Sequence, residues 1–142
     1  MIERIPPHEA KRRLDEEGYV YVDVRSVAEF ERGHPAGAYN IPLLHQTTEG
    51  LQPNPDFLSV VEHHFDHASK LILGCRSGGR SLRAAEMLAG VGYGAIADQR
   101  AGFAGSREES GWATAGLPTA RHPAPGRSYE ELVAGAEAKG AR

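Results

Sequence analysis

The sequence predicts an α/β fold: a central parallel sheet of about five strands, flanked by helices on both faces. Three observations carry that prediction. Short runs rich in β-branched and aromatic residues alternate along the chain with stretches of helical periodicity, the pattern of strand–helix–strand units. The apolar run Leu71-Ile72-Leu73 ends in a glycine-containing loop with a helix-forming stretch directly behind it. In such sheets ligands bind beyond the carboxyl ends of the strands, so that loop is the first place to look for chemistry. Finally, 142 residues, 40% of them hydrophobic and 25% charged, suffice for one domain with a proper core.

The elements follow in order. Pro6-Pro7 opens a helix from about His8 to Glu17, with Ala10 and Leu14 on its inner face and Gly18 at its end. Tyr19-Val20-Tyr21-Val22-Asp23-Val24 reads as a buried strand. A short acidic helical turn spans Ser26 to Glu31, with Ser26 as N-cap. The turn Gly33–Gly37 leads to a short strand around Ala38 to Ile41, and Pro42 to Pro53 reads as an irregular connection. Asn54 or Asp56 starts an amphipathic helix to about His67, with Phe57, Val60, Val61 and Phe65 facing inward. Then come the Leu71–Leu73 strand, a loop, a helix from Arg80 to Ala89 and a last strand near Ala95–Asp98. Beyond Pro118 the composition shifts to Thr, Ala, Pro, Gly and charge. Ser128-Tyr129-Glu130-Glu131 has a capping-box layout ahead of an Ala-rich helix to about Lys139, expected to pack loosely, swap onto a partner or fray. The domain reading is 1–119 plus a C-terminal extension, 120–142.

Composition excludes several classes. A net charge of −3 lacks the basic excess of a nucleic-acid binder. No apolar stretch approaches the roughly 20 residues that cross a bilayer, and the N-terminus has no signal-peptide layout. One cysteine permits no internal disulfide, and a free thiol suits a reducing compartment, so the expected location is cytoplasmic.

That cysteine is the most informative residue. Cys75-Arg76-Ser77-Gly78-Gly79-Arg80-Ser81 places a thiol between strand and helix, with two arginines and two glycines in the loop. A core cysteine is expected among apolar neighbours; this one is followed in the chain by a loop with two arginines. Glycines allow backbone amides to converge on one point, and the helix N-terminus and guanidinium groups favour thiolate, the reactive species. The loop reads as a cysteine nucleophile in an anion cradle formed by Arg76, Ser77, Gly78, Gly79, Arg80 and Ser81.

Several stretches together resemble the rhodanese (sulfurtransferase) domain. Val22-Asp23-Val24-Arg25 with Glu29-Phe30 is similar to its first signature, and Gly33-His34-Pro35-Ala36-Gly37-Ala38-Tyr39-Asn40-Ile41-Pro42 to its second. Cys75 through Ser81 matches the active-site loop, and Gly111-Trp112 with Gly116-Leu117-Pro118 looks like the closing motif. The resemblance covers roughly residues 3 to 119. It implies a rhodanese-like fold and a Cys75 thiolate that takes sulfane sulfur from thiosulfate, or from a protein persulfide, and passes it to cyanide or a thiol. It implies no metal and no organic cofactor. The alternatives are a non-catalytic binding or sensing module and a persulfide relay protein. The six-residue loop from Cys75 to Arg80 is one residue shorter than that of the related phosphatases and arsenate reductases, which favours sulfur over phosphorus. Two departures stand out: Gly74 replaces a bulkier residue and is expected to loosen the loop's entry, and the segment from Arg100 to Ser110 is long enough to wall the pocket.

Other residues have plainer readings. Asp23 and Arg25 brace the fold beside the site as an ion pair, with a direct chemical role as the alternative. His34 is a scaffold residue, and Trp112 plugs the core. His63, His64 and His67 lack a third ligand at matching spacing and read as a solvated helix face, so no metal site is expected.

Overall fold

The computed structural model describes residues 2–140. Strand β1 (Glu3–Ile5) leads into helix α1 (Pro7–Glu16), strand β2 (Val20–Asp23), helix α2 (Val27–Glu31) and two short strands, β3 (His34–Pro35) and β4 (Tyr39–Asn40). A hairpin of β5 (Leu44–Thr47) and β6 (Gly50–Pro53) precedes helix α3 (Phe57–His64), strand β7 (Lys70–Gly74), helix α4 (Gly79–Gly90) and strand β8 (Ala95–Gln99). Strand β9 (Thr119–Ala120) and helix α5 (Tyr129–Gly140) complete the chain. The main sheet has five strands, ordered β1-β8-β7-β2-β4, and every pairing is parallel.

Strand β7 lies in the middle because its residues are apolar on both faces. Leu71 and Leu73 face one core with Val22, Val24, Phe57, Val61, Ala85, Leu88 and Leu132, contributed by β2, α3, α4 and α5. Ile72 faces the other with Ala10, Tyr21, Phe30, Ala97 and Trp112. Each fully buried Leu or Ile contributes about 1.5–3 kcal/mol. Three of them in a row fix the strand that delivers Cys75, and the helices cover both faces as the pattern of the sequence predicts.

Local signals explain most boundaries. Proline stands at the first turn of α1, where its missing N–H costs nothing, and Gly18 follows its C-terminus at φ +73°. Ser26 caps α2 in a full capping box, accepting from the Glu29 N–H while the Glu29 carboxylate accepts from the Ser26 N–H. Ser128 and Glu131 form the equivalent pair at α5.

Four features differ from the sequence reading. Residues Glu3–Ile5 form an edge strand paired with β8, too short to show periodicity. The supposed irregular connection holds the antiparallel β5–β6 hairpin, whose mostly exposed residues carry no alternating apolar signal. Helix α3 stops at His64, three residues early, because Phe65 turns extended to reach the core. Helix α5 is docked rather than loose: Leu132 is 2% exposed, and the half-buried His64 ring donates from Nε2 to the Leu132 carbonyl at 2.7 Å. His64 therefore joins two helices, which corrects its reading as part of a solvated face. Nearby, His67 contacts Glu62 across the surface.

Candidate active site

Cys75 follows directly on β7 and is 3% exposed. Its sulfur accepts the Gly78 N–H at 3.1 Å, and its thiol donates to Ser81 Oγ at 3.4 Å. The loop reaches this shape because Gly78 adopts φ +108°, a region open to glycine, at the N-cap of α4. A Cβ at Gly78 would stand 2.3 Å from the Arg100 carbonyl oxygen, whereas one at Gly79 would meet nothing within 4 Å. Of the two glycines singled out in the sequence, geometry demands Gly78.

The loop is held from behind by the segment after β8. The Phe103 N–H donates to the Cys75 carbonyl at 2.7 Å and the Ala104 N–H to the Arg76 carbonyl at 3.0 Å. That approach requires Gly102, at φ +71°, where a Cβ would lie 2.3 Å from the Arg76 carbonyl oxygen. Gly74 answers a different constraint. The space beside it is filled by the buried Tyr21 ring, whose hydroxyl would be 1.9 Å from an added Cβ. The strand end is packed by Tyr21 and not loosened by the missing side chain. Burial, first, and the nearby Asp23 charge push the Tyr21 phenol well above its ordinary range, so it stays protonated.

Beneath the sulfur lies a buried polar chain. Ser81, on the first turn of α4, donates to Asp98 Oδ1 at 2.5 Å, and Arg4 donates to Asp98 Oδ2 at 2.9 Å. Ser81 and Asp98 are both 0% exposed. Burial raises the Asp98 carboxyl above its usual range, partly offset by the bonds from Ser81 and Arg4.

Guanidinium groups form the rim. Arg25 donates to both Asp23 oxygens, at 2.7 Å for the nearest contact, and to the Gly33 carbonyl, and lies 4.5 Å from the centre of the Phe103 ring. Both members of this pair are buried, and the geometry agrees with the bracing role. Arg80 makes a bidentate pair with Glu29, at 2.8 and 3.0 Å, tying α4 to α2. Burial alone would raise Glu29, but the bonds from Arg80 and Ser26 outweigh it and hold the carboxyl at about 2. Among the described residues, the exposed Arg76 guanidinium has no hydrogen bond or ion pair. It lines a cavity of about 290 Å³ with Arg25, Glu29, Arg32, Phe103 and Ala104, so the long segment after β8 does contribute to the wall. Ser77 is exposed at the loop's tip.

Two of the expected neighbours are scaffold in this geometry: His34 is buried and donates from Nδ1 to the Phe30 carbonyl, and Trp112 donates to the Pro118 carbonyl. The sequence reading missed Asp98, Gly102 and Tyr21 as shapers of the site, and had Glu29 only as part of the first signature, with no link to Arg80. Of the three missed, Asp98 carried a signal, as an acid at the end of a strand in the manner of Asp23. Among the described residues no group of three His, Cys, Asp or Glu side chains converges to hold a metal ion, and no helix is long and apolar enough to cross a membrane.

The arrangement is a sulfur at the carboxyl end of a parallel strand, bonded by the amide at a helix N-terminus, while the next residue, Arg76, lines a cavity together with Arg32; among the described residues neither guanidinium has a hydrogen bond or ion pair. The model of the rhodanese-like domain matches residues 6–109. Thiosulfate sulfurtransferase 16, chloroplastic, from Arabidopsis thaliana is 41% identical over 102 residues, covering 72% of this chain and 80% of that protein. The senescence-associated protein DIN1 of Raphanus sativus is 38% identical, but the match covers only 56% of its length and 70% of this chain. Among solved structures, Rv0390 from M. tuberculosis superposes with a TM-score of 0.71 at 28% identity, covering 84% of this chain and 98% of that one. The chain belongs to the rhodanese-like domain family.

Proposed function

We propose that the protein is a sulfurtransferase that moves sulfane sulfur from thiosulfate or a persulfide to a thiophilic acceptor, cyanide or a thiol, through a persulfide on Cys75. The observation that carries the reading is the Cys75 sulfur, 3.1 Å from the Gly78 amide at the start of α4, followed in the chain by the unpaired Arg76, which lines a cavity of about 290 Å³. In the first half-reaction the Cys75 thiolate attacks the outer sulfur of thiosulfate. The S–S bond of the donor breaks, its electron pair leaves with sulfite, and a Cys75 persulfide remains. In the second, cyanide or a thiolate attacks the outer persulfide sulfur and the Cys75 thiolate is released.

The residues have distinct parts in this scheme. Amides of the loop from Arg76 to Ser81 and the positive end of α4 hold the anionic persulfide. Arg76 attracts the dianionic donor and the departing sulfite. Arg80, through Glu29, keeps the loop and α2 together, and Asp23 with Arg25 braces the strand ends. A solitary cysteine also favours relay from a protein persulfide, since no second thiol of the chain can resolve the intermediate. A thiol that must stay reduced suits the cytoplasm or another reducing compartment.

Intact mass after thiosulfate treatment tests the reading. Wild type is expected to gain one sulfur atom and lose it to cyanide, while Cys75→Ser gains none. No gain from thiosulfate together with a gain from a protein persulfide would assign the relay. No gain from either donor would overturn sulfur transfer.

A further inference from the structure

We propose that Asp98 is a positioning residue that sets the direction of the Ser81 hydroxyl, and so decides whether Cys75 faces a hydrogen-bond acceptor or a donor. The inference deepens the sulfurtransferase reading, from which it takes Cys75 as the nucleophile, but it is read out without sulfur transfer.

Ser81 has a single hydroxyl hydrogen and three acceptors within reach: Asp98 Oδ1 at 2.5 Å, the Gly78 carbonyl at 3.4 Å and the Cys75 sulfur at 3.4 Å. The contact to Asp98 is far the shortest and has the length of a charge-assisted bond. While Asp98 is ionised it therefore takes the hydrogen, and the Ser81 oxygen turns lone pairs toward Cys75. Lone pairs accept from an S–H and repel a thiolate. A group that the sequence offers as a thiolate donor thus favours the thiol. With a proton on Asp98 the polarity reverses: the carboxyl O–H donates to Ser81, and the Ser81 hydrogen turns to the sulfur.

Nothing else nearby takes over this task. Among the described residues only Arg4, from β1, and Ser81, from α4, hydrogen-bond the Asp98 side chain. The other charged or titratable groups that face Cys75 are Tyr21, Asp23 and Arg25 from β2, Arg80 from α4 with its partner Glu29 from α2, and Arg76 in the loop. These contribute a steady field and leave the direction of the Ser81 hydroxyl unset. Burial of Asp98 with a single guanidinium, half-exposed, makes its proton easier to hold than that of a surface carboxyl.

The experiment is the pH profile of iodoacetamide alkylation of Cys75, followed by intact mass in wild type, Asp98→Asn and Ser81→Ala. Asparagine presents an N–H₂ to Ser81 in place of an anion, which frees the Ser81 hydrogen for the sulfur. The alkylation midpoint should fall by about one pH unit, with about tenfold faster alkylation well below the midpoint. Ser81→Ala removes the opposing lone pairs and should lower the midpoint by a smaller amount. It retains helix propensity, so it keeps the question answerable if Asp98→Asn does not fold. An unchanged or raised midpoint in Asp98→Asn overturns the proposal, and so does a raised or unchanged midpoint in Ser81→Ala, the result expected if the hydroxyl donates to thiolate or serves packing alone. Expected midpoints with no sulfur gained from any donor would instead remove the sulfurtransferase reading and leave this one in place.

Discussion

The floor and the rim of the site are built on opposite principles. The floor, made of Cys75, the Gly78 amide, Ser81 and Asp98, is buried and defined by single hydrogen bonds whose direction matters. The rim, made of Arg25, Arg32, Arg76 and Arg80, is defined by charge, and two of these four cations, Arg25 and Arg80, are already neutralised by Asp23 and Glu29. Placement of the sulfur and attraction of an anion are therefore separable. A floor substitution should alter the reactivity of the thiol or the shape of the loop, whereas a rim substitution should alter affinity, unless it strips a buried cation of its partner.

That exception gives the largest expected effect. Asp23→Ala leaves Arg25 buried without its carboxylate, which should cost about 3–5 kcal/mol in urea unfolding. Next is Gly102→Ala, which forces a side chain into positive φ and against the Arg76 carbonyl. A loss of about 2–4 kcal/mol is expected, together with sulfur-transfer activity, because the loop behind Cys75 must move. Smaller again is Arg76→Ala. If donor attraction resides in the unpaired rim cations, of which Arg76 is next to the cysteine, the KM for thiosulfate should rise about tenfold with kcat nearly unchanged in steady-state assays. A fall in kcat with unchanged KM would show that floor and rim are not separable.

The smallest effect is on pH. Glu29 is held at about 2, below the ordinary 4.5, so its ionised form stabilises the fold. That contribution is complete above about 4.5 and disappears as the pH falls toward about 2. Because the pair is only partly buried, it amounts to less than about 1 kcal/mol. The stability gap between wild type and Glu29→Gln should close over that range in unfolding curves recorded at successive pH values.

The same division explains what could be read in the sequence. The parallel sheet was legible because Val20–Asp23 and Lys70–Gly74 are dense in apolar residues, and the Cys75 loop because its parts are contiguous. Ser26 was legible as the cap of α2 from its residue type and place, while its reciprocal partner Glu29 came only with the structure. The partners that complete floor and rim are remote in sequence: Asp98 lies 17 residues from Ser81 and Glu29 lies 51 from Arg80, so the tertiary fold alone brings them together. The β5–β6 hairpin was missed for a different reason. Its strands are short and mostly exposed, and burial is what writes a strand into a sequence.

The contact between Tyr21 and Gly74 has a consequence for descent. An added Cβ at position 74 would strike not only the phenol oxygen but also ring carbons of Tyr21, at 2.5 and 2.7 Å, so exchanging Tyr21 for Phe clears too little room. A lineage could acquire a larger residue before the cysteine only after position 21 had shrunk, and a shrunken position 21 would first leave a hole in the core beside Trp112. Either first step is deleterious alone and tolerated only with the other, so the two positions form a lock that single substitutions do not open.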